Sequence, residues 1–171
     1  DEILRNYNDF PMIEGLVEDH RLLAIDIPME SGDHETAAIG DLGERIGLPD
    51  NFKDIPRLVA EALASGLSLE GAGEALSIGA ATLQLRCNHM STDEVHMHTA
   101  INARRYLLKL DGISLRTRLL ALLSWNRDPE IHFAGYDVRA VPGQTPFSPR
   151  ADAKTIASLP ERSQDALLDA I

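Results

Sequence analysis

One cysteine in 171 residues leaves no intrachain disulfide to staple a fold, and it fits a reducing compartment, where free thiols persist. Aromatic residues make up only 5% of the chain. No uninterrupted apolar stretch approaches the roughly 18 residues that a membrane-spanning helix needs. No basic leader with a following apolar run opens the chain, so no secretory signal is read and a cytoplasmic location is expected. The phosphate-binding Gly-Lys-Ser/Thr loop, the Gly-x-Ser-x-Gly nucleophile elbow and the dinucleotide glycine fingerprint are all missing. These absences remove the enzyme classes most readily recognised from sequence.

What is present is a chain that is 44% apolar, enough for one hydrophobic core. The apolar residues are mainly Leu, Ile and Ala, which lose little conformational freedom on entering a helix. The expectation is therefore an all-α fold, an antiparallel helical bundle or helical-hairpin array of about six to seven helices. The sequence opens "DEILRNY", without Met, and stops at "DALLDAI", still in an amphipathic pattern. It reads as a single helical domain, residues 1–171, excised from a longer chain whose other domains are its expected partners.

Charge is unevenly spread. The formal net charge is −11 at pH 7, and residues 1–54 hold 14 Asp and Glu against 4 Lys and Arg. Residues 100–127 reverse this, with Arg104, Arg105, Lys109, Arg116, Arg118 and Arg127 against Asp111 alone. So acidic a chain is not expected to bind nucleic acid. Either the acidic and basic segments face solvent or each other, or the basic stretch lines an anion-binding groove.

Helical spacing organises the chain into acidic helices over 1–54, a central helical core over 55–127, a proline-rich loop over 128–155 and the start of a further helix over 156–171. "PMIEGLVEDHRLLA" sets Ile13, Leu16, Val17, His20 and Leu23 on one face, with Pro11 in the first turn and Pro28 beyond the end. "DHETAAIGDLGERIG" is a second helix, weakened by Gly40 and Gly43. "DIPRLVAEALASG" is a third, with Asp54 as cap and Gly66 as stop. "LEGAGEALSIGAATLQLRC" follows Ser68, a good N-cap. Its small residues Gly71, Ala72, Ala75, Gly79 and Ala80 allow a neighbouring helix to approach closely. "STDEVHMHTAINARRYLLKLDG" opens on a capping box, Ser91-x-x-Glu94, and stops at Gly112. "ISLRTRLLALLSWNRDP" is a further helix.

The densest chemistry lies in "CNHMSTDEVHMHTA", residues 87–100, with three of the six histidines and the cysteine. On a helix His96 and His98 stand about 200° apart and cannot share one metal. Each has its own carboxylate, Asp93 at i,i+3 from His96 and Glu94 at i,i+4 from His98. A carboxylate beside an imidazole fixes its tautomer, raises its pKa or joins it as a ligand. Three readings stay open. One is a Glu-x-x-His-like di-iron site using Asp93 and His96 with Glu14, Glu18, Glu30 or Glu35, although no second motif stands in the chain. Another is a mononuclear Fe, Zn or Cu site from His96, His89 and His20, with His98, His34 or Cys87 also in reach. The third is a capped helix start with a hydrogen-bonded core histidine, His98 falling on the stripe of Ile101, Arg105 and Leu108.

The run "LASGLSLEGAGEALSIGAATLQLR" followed by "DEVHMHTAINARRYLL", with Val95, His96, Thr99, Ala103, Arg104, Leu107 and Leu108, resembles helical regions of bacterial questin-oxidase-like proteins and of proteins that carry Rieske-type domains. The resemblance covers residues 60–125. It implies a helical domain of a bacterial redox or oxygenase-like protein, with His96 as the residue to test. The Rieske Cys-x-His and Cys-x-x-His pattern is absent, so such a cluster would lie in another domain. On this reading His96, Asp93, His98 and Glu94 form a metal or acid–base site, and Arg104 or Arg105 orients an acidic substrate. The competing expectation is a non-catalytic interaction or scaffold domain with acidic and basic contact faces.

Overall fold

A computed structural model of the chain describes residues 9–49, 51–86 and 95–126. They all belong to one compact unit, Asp1–Val141; a second unit, Pro142–Ile171, lies outside the described residues. Among the described residues the fold is all-α, with six α-helices and no strand. These are α1 (Phe10–Asp19), α2 (Thr36–Gly47), α3 (Ile55–Ala64), α4 (Leu69–Arg86), α5 (Val95–Leu108) and α6 (Leu115–Leu123). The proline-rich loop and the last helix expected after residue 127 lie outside the described residues, as does the Ser91–Glu94 capping box.

Helix α1 ends sooner than its apolar pattern predicts. Past the cap residue His20, Arg21 takes a left-handed φ of 52°. The Leu22 amide donates to the Val17 carbonyl at 3.0 Å and the Arg21 amide to that of Glu18 at 2.9 Å. This is a Schellman stop made without glycine. It turns Leu22 fully into the core and leaves Leu23 outside, 47% exposed. The same pair of bonds closes α3, from Leu67 to Ala62 and from Gly66 to Leu63, with Gly66 at φ 103°. At the other end of α3 the Asp54 side chain makes no capping bond; Asn51 caps the short 3₁₀ turn before it by accepting from the Lys53 amide at 2.9 Å.

Helix α4 is the centre of the fold. Ser68 caps it as expected, its Oγ accepting from the Gly71 amide at 2.9 Å while donating to Glu35 Oε2 at 2.6 Å. Both side chains are buried. The Glu35 carboxylate therefore sits beside the positive end of α4, where partial charge and hydrogen bonding offset the cost of its desolvation. Along one edge, α4 packs on α2 through glycine. A Cβ at Gly43 would lie 2.7 Å from Ile78 Cγ2 and 3.3 Å from the Ala75 carbonyl, and one at Gly79 would collide with Ile46. The contacts climb together, from 43 against 75 and 78 to 47 against 82, so these two non-sequential helices run in the same direction. The glycines that weaken α2 as an isolated helix are what let it dock.

Along its other edge α4 meets α5, and α5 in turn meets α6. Both of these sequential pairs are antiparallel, as short connections require. Gln84 faces His98, and Ser77 faces Arg105. Arg104 Nε donates to the Ala121 carbonyl at 2.9 Å, and Trp125 Nε1 to that of Met97 at 3.4 Å. Ser114 starts α6 by accepting from the Thr117 amide at 3.2 Å. One continuous core joins Ile13, Leu22, Leu63, Leu76, Met97 and Trp125, all fully buried.

Candidate functional site

The predicted histidine site divides along the helix that carries it. His96 is exposed, and His98 is half-buried with its Nε2 hydrogen-bonded to Gln84 Oε1 on α4. With Met97 fully buried between them, the two imidazoles go to different surroundings, as their spacing demands. His98 is thus a helix-pairing residue. His20 is half-buried and closes α1. Cys87, His89, Asp93 and Glu94 lie outside the described residues. Among the described residues no three His, Cys, Asp or Glu side chains gather as metal ligands would. Of the carboxylates considered for a di-iron cluster, two are bonded elsewhere. Glu14 pairs with Arg116 and Glu35 is bonded to Ser68, while Glu18 and Glu30 are exposed.

The two arginines assigned to substrate also part company. Besides Ala121, the Arg104 guanidinium donates to the Ala100 carbonyl, Nη1 at 3.1 Å, so it ties α5 to α6. Arg105 lies one step further around α5, against α4. A Cβ at Gly73 would meet its Cγ at 2.9 Å, so the missing side chain there makes room for the arginine stem. Its Nη1 then donates to Ser77 Oγ at 3.3 Å. This places Arg105 in the wall of a cavity of about 470 Å³, a size suited to a small molecule.

That cavity is built from four parts of the chain. The loop after α1 brings Met29 and Glu30 to it. The loop is strapped to the start of α4 by two backbone bonds, Leu69 to Pro28 at 2.9 Å and Glu70 to Met29 at 3.0 Å. The last turn of α5 brings Arg105 and Leu108, and Lys109 follows directly after its end. Asp111 comes from the turn before α6, where Gly112 has φ 76°, and Arg118 comes from α6 itself.

Charge in the cavity is only partly paired off. Lys109 Nζ stands 2.8 Å from Glu70 Oε1. That hydrogen bond and the ammonium charge hold the Glu70 carboxyl below the ordinary glutamate range, helped by the Ser31 amide and Arg105 and opposed by burial. Arg118 is half-buried; its Nη2 donates to the Leu110 carbonyl at 3.0 Å and its Nη1 lies 4.0 Å from Met29 Sδ. Its Nε is buried without a hydrogen-bond partner among the described residues. No carboxylate among them stands within ion-pair distance of either Arg105 or Arg118. Two guanidiniums therefore line one cavity without a carboxylate partner among the described residues. The basic excess over 100–127 carried a signal of this groove; Glu70, Met29 and Gly73, remote in sequence, carried none.

The fold and cavity together describe an all-helical protein with a polar, mixed-charge cleft between helices. No protein-family model, curated protein or solved structure matches this chain.

Proposed function

We propose that this chain is a non-catalytic helical binding domain whose cleft takes a small ligand by its anionic group, held on the guanidiniums of Arg105 and Arg118. The observation that carries this reading is the pairing of the two guanidiniums: Arg105 and Arg118, both half-buried, line a cavity of about 470 Å³, and neither has a carboxylate within ion-pair distance among the described residues. Arg105 adds a second fork on the same wall, anchored by Ser77 and by the space at Gly73. Planar, bidentate recognition of an oxyanion is what this side chain does best.

The reading predicts saturable binding of small carboxylates or inorganic phosphate to the purified chain, measured by isothermal titration calorimetry. Arg118→Met should keep the helical circular-dichroism spectrum and weaken binding at least about tenfold, the loss of one charge-assisted contact. A wild-type chain that binds none of these anions sinks the proposal.

A further inference from the structure

We infer that the ligand of this cleft is a small zwitterion, with the charge pattern of a free apolar α-amino acid; the inference rests on the binding reading above. The charges lining the cavity sort into three groups. Glu70 and Lys109 neutralise each other at 2.8 Å. Arg105 and Arg118 remain as two cations with no carboxylate within ion-pair distance among the described residues. Glu30 and Asp111 line the same cavity as two anions, and no cation among the described residues lies within ion-pair distance of either.

A simple anion answers only half of this arrangement. Seated on the guanidiniums, it would lie in the field of two carboxylates that the ligand leaves unanswered. A molecule that carries a carboxylate and an ammonium side by side satisfies both. Burial sets its direction. Arg105 and Arg118 are half-buried, whereas Glu30 and Asp111 are exposed. The ligand carboxylate therefore goes inward and its ammonium sits at the rim, between Glu30 and Asp111. Half-buried Met29 gives the cavity an apolar surface for an aliphatic side chain. Methionine adapts its shape to such groups at little cost.

Matched probes test this by calorimetry on the full chain: L-leucine, 4-methylpentanoate, which lacks only the ammonium, and isopentylamine, which lacks only the carboxylate. L-Leucine is expected to bind at least about tenfold more tightly than either analogue. In the Glu30→Gln/Asp111→Asn double variant that preference should vanish while 4-methylpentanoate binding persists or improves. Both positions are exposed, so the variant keeps its fold, which circular dichroism checks. If 4-methylpentanoate binds wild type as tightly as L-leucine does, the zwitterion is overturned and the anion site stands. If neither acid binds while inorganic phosphate does, this inference falls and the binding reading stands; if none of the three binds, both fall together.

Discussion

Helix α4 meets α2 along one edge and α5 along the other, and both edges depend on side chains that are not there. At the α2 edge, Gly43 and Gly79 bring two backbones together and Ile46 and Ile78 fill the seam. At its head the Glu35 carboxylate is buried on Ser68. At the α5 edge, Gly73 makes room for one long cationic stem, and the helices are spaced by polar pairs, Ser77 with Arg105 and Gln84 with His98. The first edge is a close apolar seam. The second is spaced by polar side chains and ends in a cleft. The same residue type on one helix thus serves packing in one place and ligand geometry in the other, and the partner helix decides which.

The largest effect should come from filling the first edge. Gly79→Leu drives a side chain into Ile46, and overpacking of this kind costs about 3 kcal/mol even after the gain in helix propensity. A fall in the urea midpoint at unchanged slope would report it, and wild-type stability in this variant would break the comparison. Next comes the head of α4. Ser68→Ala removes the cap and leaves the buried Glu35 carboxylate without its hydroxyl donor, at a cost of about 2 kcal/mol in the same measurement.

The second edge should respond more weakly in stability. Lys109→Met removes an exposed partner of Glu70, which is worth less than about 1 kcal/mol at neutral pH. Its sign is fixed by the lowered Glu70 pKa: the contribution is complete above the ordinary glutamate range and is lost as pH falls below that range through the lowered value. The gap between wild type and variant should therefore narrow from pH 7 to pH 4. Gly73→Ala is the smallest of the series in stability, since helix propensity gains about 1 kcal/mol while Arg105 shifts away. It should nonetheless weaken anion binding at least about tenfold. If it binds as wild type does, the link between Gly73 and the cleft is gone.

How much was legible varies with the physical origin of each feature. The glycine stop of α3 at Gly66 could be read because a left-handed residue is most often glycine. The equivalent stop of α1 uses Arg21, which gives no such signal, so the apolar pattern of "HRLLA" ran on past the true end. The opposition of His96 and His98 follows from helix geometry alone, and the fold places them accordingly. The partner of His98 did not follow, because Gln84 lies on another helix. For the basic stretch 100–127 the sequence left a solvated face and an anion groove both open, and only packing assigns Arg104 to backbone carbonyls and Arg105 to the cavity wall.

Composition and 3.6-residue periodicity by themselves determined an all-helical chain, with Ser68 as a helix start and small residues ready for a close helix pair. These are local matters, settled within a turn or two of the backbone. Tertiary structure alone decided that α2 and α4 run parallel, that Glu35 is buried against Ser68, and that Met29, Glu70, Arg105 and Arg118 share one cavity. Such contacts join residues dozens of positions apart. Their geometry depends on how whole helices dock, which no local pattern encodes.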